Sequence, residues 1–100
     1  MPDSVKDPKE AAIERNVCDY AKGAHMLSYK FTSPNRRSVP DRLFITSRGT
    51  VFFIEFKRKG KAPTDAQYPE IRRIASYGVQ VFVVDNIDKG RSIIDEMSKF

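Results

Sequence analysis

The chain has one cysteine and one histidine in 100 residues, and each scarcity removes a class of chemistry. With Cys18 alone, neither an intrachain disulfide nor a cysteine-rich zinc site can form. His25 alone argues against histidine-rich metal chemistry and a conventional Ser-His triad, and reads as a surface or lightly buried structural residue. No stretch approaches the roughly 20 consecutive apolar residues that span a bilayer. The polar segment Met1 to Lys9 lacks the apolar run of a secretory signal. The expectation is a protein that avoids membranes and acts in the cytosol, where nucleic acid is handled. Its chemistry has to come from carboxylates and lysines.

What is present suffices for one folded domain. Hydrophobic residues make up 40% of the chain, too many for a disordered tail. One hundred residues fit a single core and leave no room for a second domain or an internal repeat. We read residues 1–100 as one domain, with a core over about 8–85 and a closing helix over about 86–100. The net charge of +5 favours a polyanionic partner.

Turn and cap signals divide the chain. Asp7-Pro8-Lys9-Glu10 starts a helix with a cap, a proline at the first position and a capping-box partner. Ile13, Val17 and Ala21 follow at helical spacing, and Gly23 supplies a stop. Met26 to Phe31 reads as a first strand, and Thr32 to Val39 as a basic loop. Leu43 to Thr46 and Val51 to Lys57 read as a hairpin around a turn at Ser47 to Thr50. Arg58 to Pro63 is a second basic loop. Thr64 to Gln67 forms a capping box for a helix carrying Ile71 and Ile74 to a stop at Gly78, with an irregular start imposed by Pro69. Val79 to Val84 reads as a buried strand. Ile87, Ile94 and Met97 fall at helical spacing in the last segment. The order helix, three strands, helix, strand, helix implies an α/β fold with a mixed sheet.

The strand Val51 to Lys57 holds a conflict. It is apolar enough to be central, yet alternation puts Glu55 and Lys57 together on one face. A buried charge has to be paired, shifted in pKa or bound to a metal. A simple Glu55–Lys57 ion pair is one answer. Asp41 offers another, because it lies fourteen positions before Glu55, a separation one hairpin can close. Two facing carboxylates repel unless a cation sits between them, and a hard divalent ion such as Mg²⁺ suits oxygen ligands. Asp41 can also be read as a cap for the turn before its strand.

The run Tyr29 to Arg42, containing Val39-Pro40-Asp41, is followed by Phe53-Ile54-Glu55-Phe56-Lys57-Arg58-Lys59-Gly60-Lys61 and then by Thr64 and Gln67. This pattern resembles the virus-type replication-repair nuclease (VRR-NUC) family of the PD-(D/E)xK superfamily, in its stand-alone phage or bacterial form. The resemblance covers roughly Lys9 to Asp85. Ser38 departs from it, standing where the family usually has glycine, which bears on the loop's conformation and removes no ligand.

The resemblance implies a restriction-endonuclease-like sheet in the order αβββαβ(α) and a DNA phosphodiesterase dependent on Mg²⁺ or Mn²⁺. Asp41, Glu55 and the Phe56 backbone carbonyl would hold the metal, with Glu14 near it, through water. Lys57 would orient or help deprotonate the attacking water. Gln67 would face the site, although it also fits the capping box, and Glu14 also reads as a solvated helix residue. Lys30, Arg36, Arg37, Arg42, Arg58, Lys59 and Lys61 are candidate phosphate contacts. Such contacts position DNA without reading bases, and no helix rich in base-reading side chains is evident. The resemblance further implies branched DNA, such as Holliday junctions, in replication, recombination or repair, and a homodimer. Two other classes fit the same sequence: a non-catalytic DNA-binding module and a structural subunit of a repair assembly.

Overall fold

The computed structural model describes residues 7–36 and 38–100, so Arg37 among the candidate phosphate contacts lies outside the described residues. Its elements are α1 (Pro8–Gly23), β1 (Leu27–Lys30), β2 (Arg42–Ile45), β3 (Val51–Phe56), α2 (Gln67–Ala75), β4 (Gln80–Val84) and α3 (Ile87–Met97). The four strands form one sheet in the order β1-β2-β3-β4. The first three are antiparallel, and β4 joins β3 in parallel. The expected order and the mixed α/β class are both present.

The start of α1 follows the cap chemistry. Asp7 accepts a hydrogen bond from the Lys9 backbone N–H at 2.8 Å, and Pro8 occupies the first position. Its end differs from the expectation at Gly23. The helix runs through Gly23, and the left-handed residue is His25, at φ 62°. The backbone reverses there while its N–H donates to Lys22 O at 3.1 Å. His25 is exposed, in keeping with a structural role.

Strand alternation divides the sheet into two faces. Phe44, Phe52, Ile54, Phe56 and Val84 point to the side of α1 and α3 and are fully buried there with Val17, Ala21 and Ile94. Phe44 stacks on Phe52 at 5.0 Å between centroids, and Phe82 meets Phe52 edge-on at 5.9 Å. The opposite face carries Phe53 and Glu55 and is covered in part by α2. Its β1 end stays open, with Leu27 and Tyr29 more than half exposed.

Two expectations need correction. The strand read as buried is β4, at the edge of the sheet, and only its Val84 is buried. Its apolar run fits a parallel strand with one side lacking a neighbour. In α3, Ile94 and Met97 are buried as expected, but Ile87 is exposed and Gly90 is buried in its place. A Cβ at Gly90 would run into Val17 of α1 and approach Val84 at 3.3 Å. The missing side chain thus sets how closely the two helices pack.

Gly90→Leu should therefore destabilise the protein by about 1–3 kcal/mol through overpacking. Urea denaturation would measure it, and an unchanged midpoint would show that α3 can move away from α1 freely.

Candidate active site

The site is built where β2 begins and β3 ends. The antiparallel register pairs Arg42 with Ile54, and one further step brings Asp41 level with Glu55. Pro40 is fully buried and leads the chain into this position. Asp41 Oδ2 accepts a hydrogen bond from the Phe56 backbone N–H at 2.8 Å. That bond fixes the aspartate against the strand carrying Glu55.

Glu55 is only 2% exposed. Its Oε2 accepts from Gln67 Nε2 at 2.7 Å and pairs with Lys57 Nζ at 3.2 Å. Its Oε1 is buried with no hydrogen-bond partner. Burial and the nearby charge of Asp41 push the Glu55 pKa up, and Lys57 and Gln67 offset this only in part. The Glu55–Lys57 pair anticipated from alternation is present, but it satisfies one oxygen.

Gln67 makes two sets of contacts. Its Oε1 accepts from the Thr64 N–H at 3.0 Å while its own N–H donates to Thr64 Oγ1 at 3.3 Å, the reciprocal bonds of a capping box, but they precede α2, whose own N-cap Ala66 makes no side-chain cap. Because the amide oxygen is taken by Thr64, the amide nitrogen is left to face Glu55. Residues 65 and 66 form a turn and α2 begins only at Gln67, the irregular start expected from Pro69.

Glu14 goes to a different neighbourhood. It is 5% exposed and accepts from Arg42 Nε at 2.6 Å, with Lys30 Nζ at 3.5 Å. Arg42 shares the α1 side of the sheet with Phe44, whereas Glu55 and Lys57 occupy the other side. Burial alone would lower the Arg42 pKa, but Glu14 and its other neighbours, Asp41 among them, raise it. These cross-strand partners were invisible at helical spacing, where Glu14 has no basic neighbour. A groove of about 810 Å³ runs along this side between α1 and β1.

Several candidate phosphate contacts are tethered rather than freely solvated. Lys30 and Arg42 meet Glu14, Arg36 meets Glu70 at 3.3 Å, and Arg58 meets Asp7 at 3.7 Å. Lys59 and Lys61 are exposed in a loop whose turn is anchored by Gly60 N–H donating to Asp85 Oδ2 at 3.2 Å. Hydrogen bonds from Asn86 and Gly60 hold the Asp85 carboxyl below its usual range. Sequence reading missed Asp85 and Glu70. An acidic residue directly after an apolar strand, and a lone one on a basic helix, were the available signals.

Among the described residues, no cluster of three or more His, Cys, Asp or Glu side chains is placed to hold a metal ion. The donor set is a pair of carboxylates, and it fits a hard cation. One buried carboxylate oxygen lacks a partner while a second anion raises its pKa.

A mixed sheet with paired carboxylates and a lysine where β2 begins and β3 ends defines a restriction-endonuclease-like α/β protein. The chain is similar to a solved structure described as a VRR_NUC domain, with a TM-score of 0.82 and 27% identity over 89% of this chain and 97% of that one. It is also 39% identical over 80 residues to "Putative nuclease p44" of Acyrthosiphon pisum secondary endosymbiont phage 1, covering 80% of this chain and 86% of that protein. No family model matches the sequence. On these two similarities, the chain belongs to the VRR-NUC family.

A carboxylate whose folded pKa is raised stabilises the fold fully only below its unfolded pKa, about 4.3 for glutamate, and that stability is lost as pH rises through the folded value. In metal-free buffer at neutral pH, Glu55→Gln should therefore melt higher than wild type, with the gap closing as pH falls. Thermal denaturation in EDTA reads this directly. A lower melting temperature for the variant at neutral pH would mean that Lys57 and Gln67 compensate Glu55 in full.

Proposed function

We propose that this protein is a divalent-metal-dependent nuclease that hydrolyses phosphodiester bonds in DNA. Asp41 and Glu55 are its metal-holding carboxylates, and Lys57 stands beside the attacking water. The observation that carries this reading is the strained state of Glu55, buried beside a second carboxylate with one oxygen unsatisfied. Family membership supports it independently.

Mg²⁺ or Mn²⁺ would take Asp41, Glu55 and the Phe56 carbonyl as oxygen donors, and when bound supplies positive charge that polarises a phosphoryl oxygen and acidifies water. The remaining work belongs to the chain. Gln67 holds Oε2 of Glu55 so that the carboxylate keeps one orientation. Lys57, anchored by its backbone N–H to Val84 O at 2.8 Å, keeps its ammonium 3.2 Å from that same oxygen. There it orients or helps deprotonate water and offsets charge on the phosphate. Preorganised charge of this kind needs no rearrangement as the transition state forms. Glu14 would reach the metal only through water, since its carboxylate is already paired with Arg42 and Lys30.

The cations at the site address phosphate and leave base sequence unread, which favours branched DNA over a defined sequence. A two-fold dimer would present two sites to a symmetric junction. The face left open by α2 offers a surface for it. Leu27, Ile45 and Val51 form one cross-strand row beside Tyr29 and Leu43, and Leu27, Tyr29 and Val51 are exposed.

Labelled DNA incubated with Mg²⁺ or Mn²⁺ should be cut, and Asp41→Ala and Lys57→Ala should each slow cutting roughly a hundredfold or more while DNA binding persists. Equal cleavage by wild type and both variants would remove the site assignment. Binding without cutting across single-stranded, duplex, flap and four-way DNA would instead favour a non-catalytic binding module. If about four phosphate contacts form, log affinity should fall with log salt at about −0.9 per contact. Sedimentation of a monomer at high concentration would exclude the dimer.

A further inference from the structure

We propose that the hollow between α2 and the chain at Ser33, Asn35 and Val39 receives the base of an unpaired nucleotide next to the cleavage site. The proposal takes DNA as ligand from the reading above and adds a subsite to it. The hollow has a volume of about 390 Å³, within the range of small-ligand sites. Its floor is aromatic, formed by Phe31 and Phe53 with ring centroids 5.0 Å apart and planes tilted by 52°. Val39 from the loop and Ile74 from α2 close the apolar sides.

The rim has the opposite character. Arg36 and Arg73 both reach Glu70, at 3.3 Å each, and Glu70 is only 8% exposed. The shared carboxylate holds both guanidinium groups at the mouth of the hollow, while about half of each arginine side chain stays in solvent. A ligand with a flat apolar body and an attached anion matches this arrangement. The base lies against the rings, and its phosphate meets the arginines. A base stacked within a duplex cannot present its face sideways to such a floor, so the occupant has to be unpaired.

Placement ties the hollow to the reaction. Phe53 and Glu55 share a strand and a face, two residues and therefore about 6.6 Å apart. Val39 stands two positions before Asp41. A strand whose scissile phosphate reaches the two carboxylates brings a neighbouring nucleotide over the hollow. Recognition of branched DNA then rests on a base free to leave the stack.

The test is binding without chemistry. In EDTA, fluorescence anisotropy is measured on three labelled DNAs: a duplex with a short single-stranded tail, the same duplex with abasic sugars in the tail, and a blunt duplex. Wild type should bind the base-bearing tail roughly tenfold more tightly than the abasic one. Phe31→Leu, which keeps apolar bulk and loses the aromatic face, should bring that ratio close to one without altering affinity for the abasic DNA. Ile74→Trp, which fills the hollow from the helix side, should do the same and decides the matter if Phe31→Leu fails to fold. A wild-type ratio near one, absence of binding to all three DNAs, or a full ratio retained in the folded variants would overturn the proposal. Cleavage in Mn²⁺ is scored separately. A base-dependent ratio without cutting would sink the nuclease reading and leave the subsite standing, and cutting with a ratio of one would do the reverse.

Discussion

The hydrogen bond from the Phe56 N–H to Asp41 Oδ2 is the constraint on which the site depends. It lies where β2 begins and β3 ends, so it joins two strand ends that the ladder itself no longer pairs. It also holds Asp41 beside Glu55 against their mutual repulsion. Burial and the nearby Asp41 charge together drive Glu55 toward protonation.

The same economy of charge recurs around the site. Basic residues are held by acidic ones, with Glu14 gathering Lys30 and Arg42 on one side of the sheet and Glu70 gathering Arg36 and Arg73 on the other. Both acidic partners are buried, so each arrangement costs desolvation, and removing the acid alone would strand its cations. What is gained is orientation. Long flexible side chains that would wander in solvent are held in a narrow set of directions.

Much of this was legible in the sequence, and for identifiable reasons. Asp7, Pro8, Thr64 and Gln67 act through neighbours three residues away or fewer, so local chemistry revealed them. The two carboxylates and the lysine were legible because a hairpin closes short distances and strands alternate strictly. The missed features depend on long-range packing. Gly90 reads as a weak point in a helix until Val17 is seen against it. The place of β4 at the edge cannot be read from an apolar run, because a parallel strand looks alike at the rim and at the centre. Glu14 finds its cations 16 and 28 residues away and Glu70 reaches Arg36 34 residues away, beyond any helical spacing, and only the Glu70–Arg73 pair is local.

The parallel pairing of β3 and β4 has an architectural consequence. Parallel neighbours cannot be linked by a tight turn, so the polypeptide must leave the end of β3 and travel the length of the sheet before re-entering it. That obligatory detour is the stretch containing Arg58, Lys59, Lys61 and Gln67. Topology alone requires a crossing segment at the mouth of the site, and the chain has furnished it with cations. Trimming the detour would detach a strand as well as shorten a loop, so its length is tied to the integrity of the sheet.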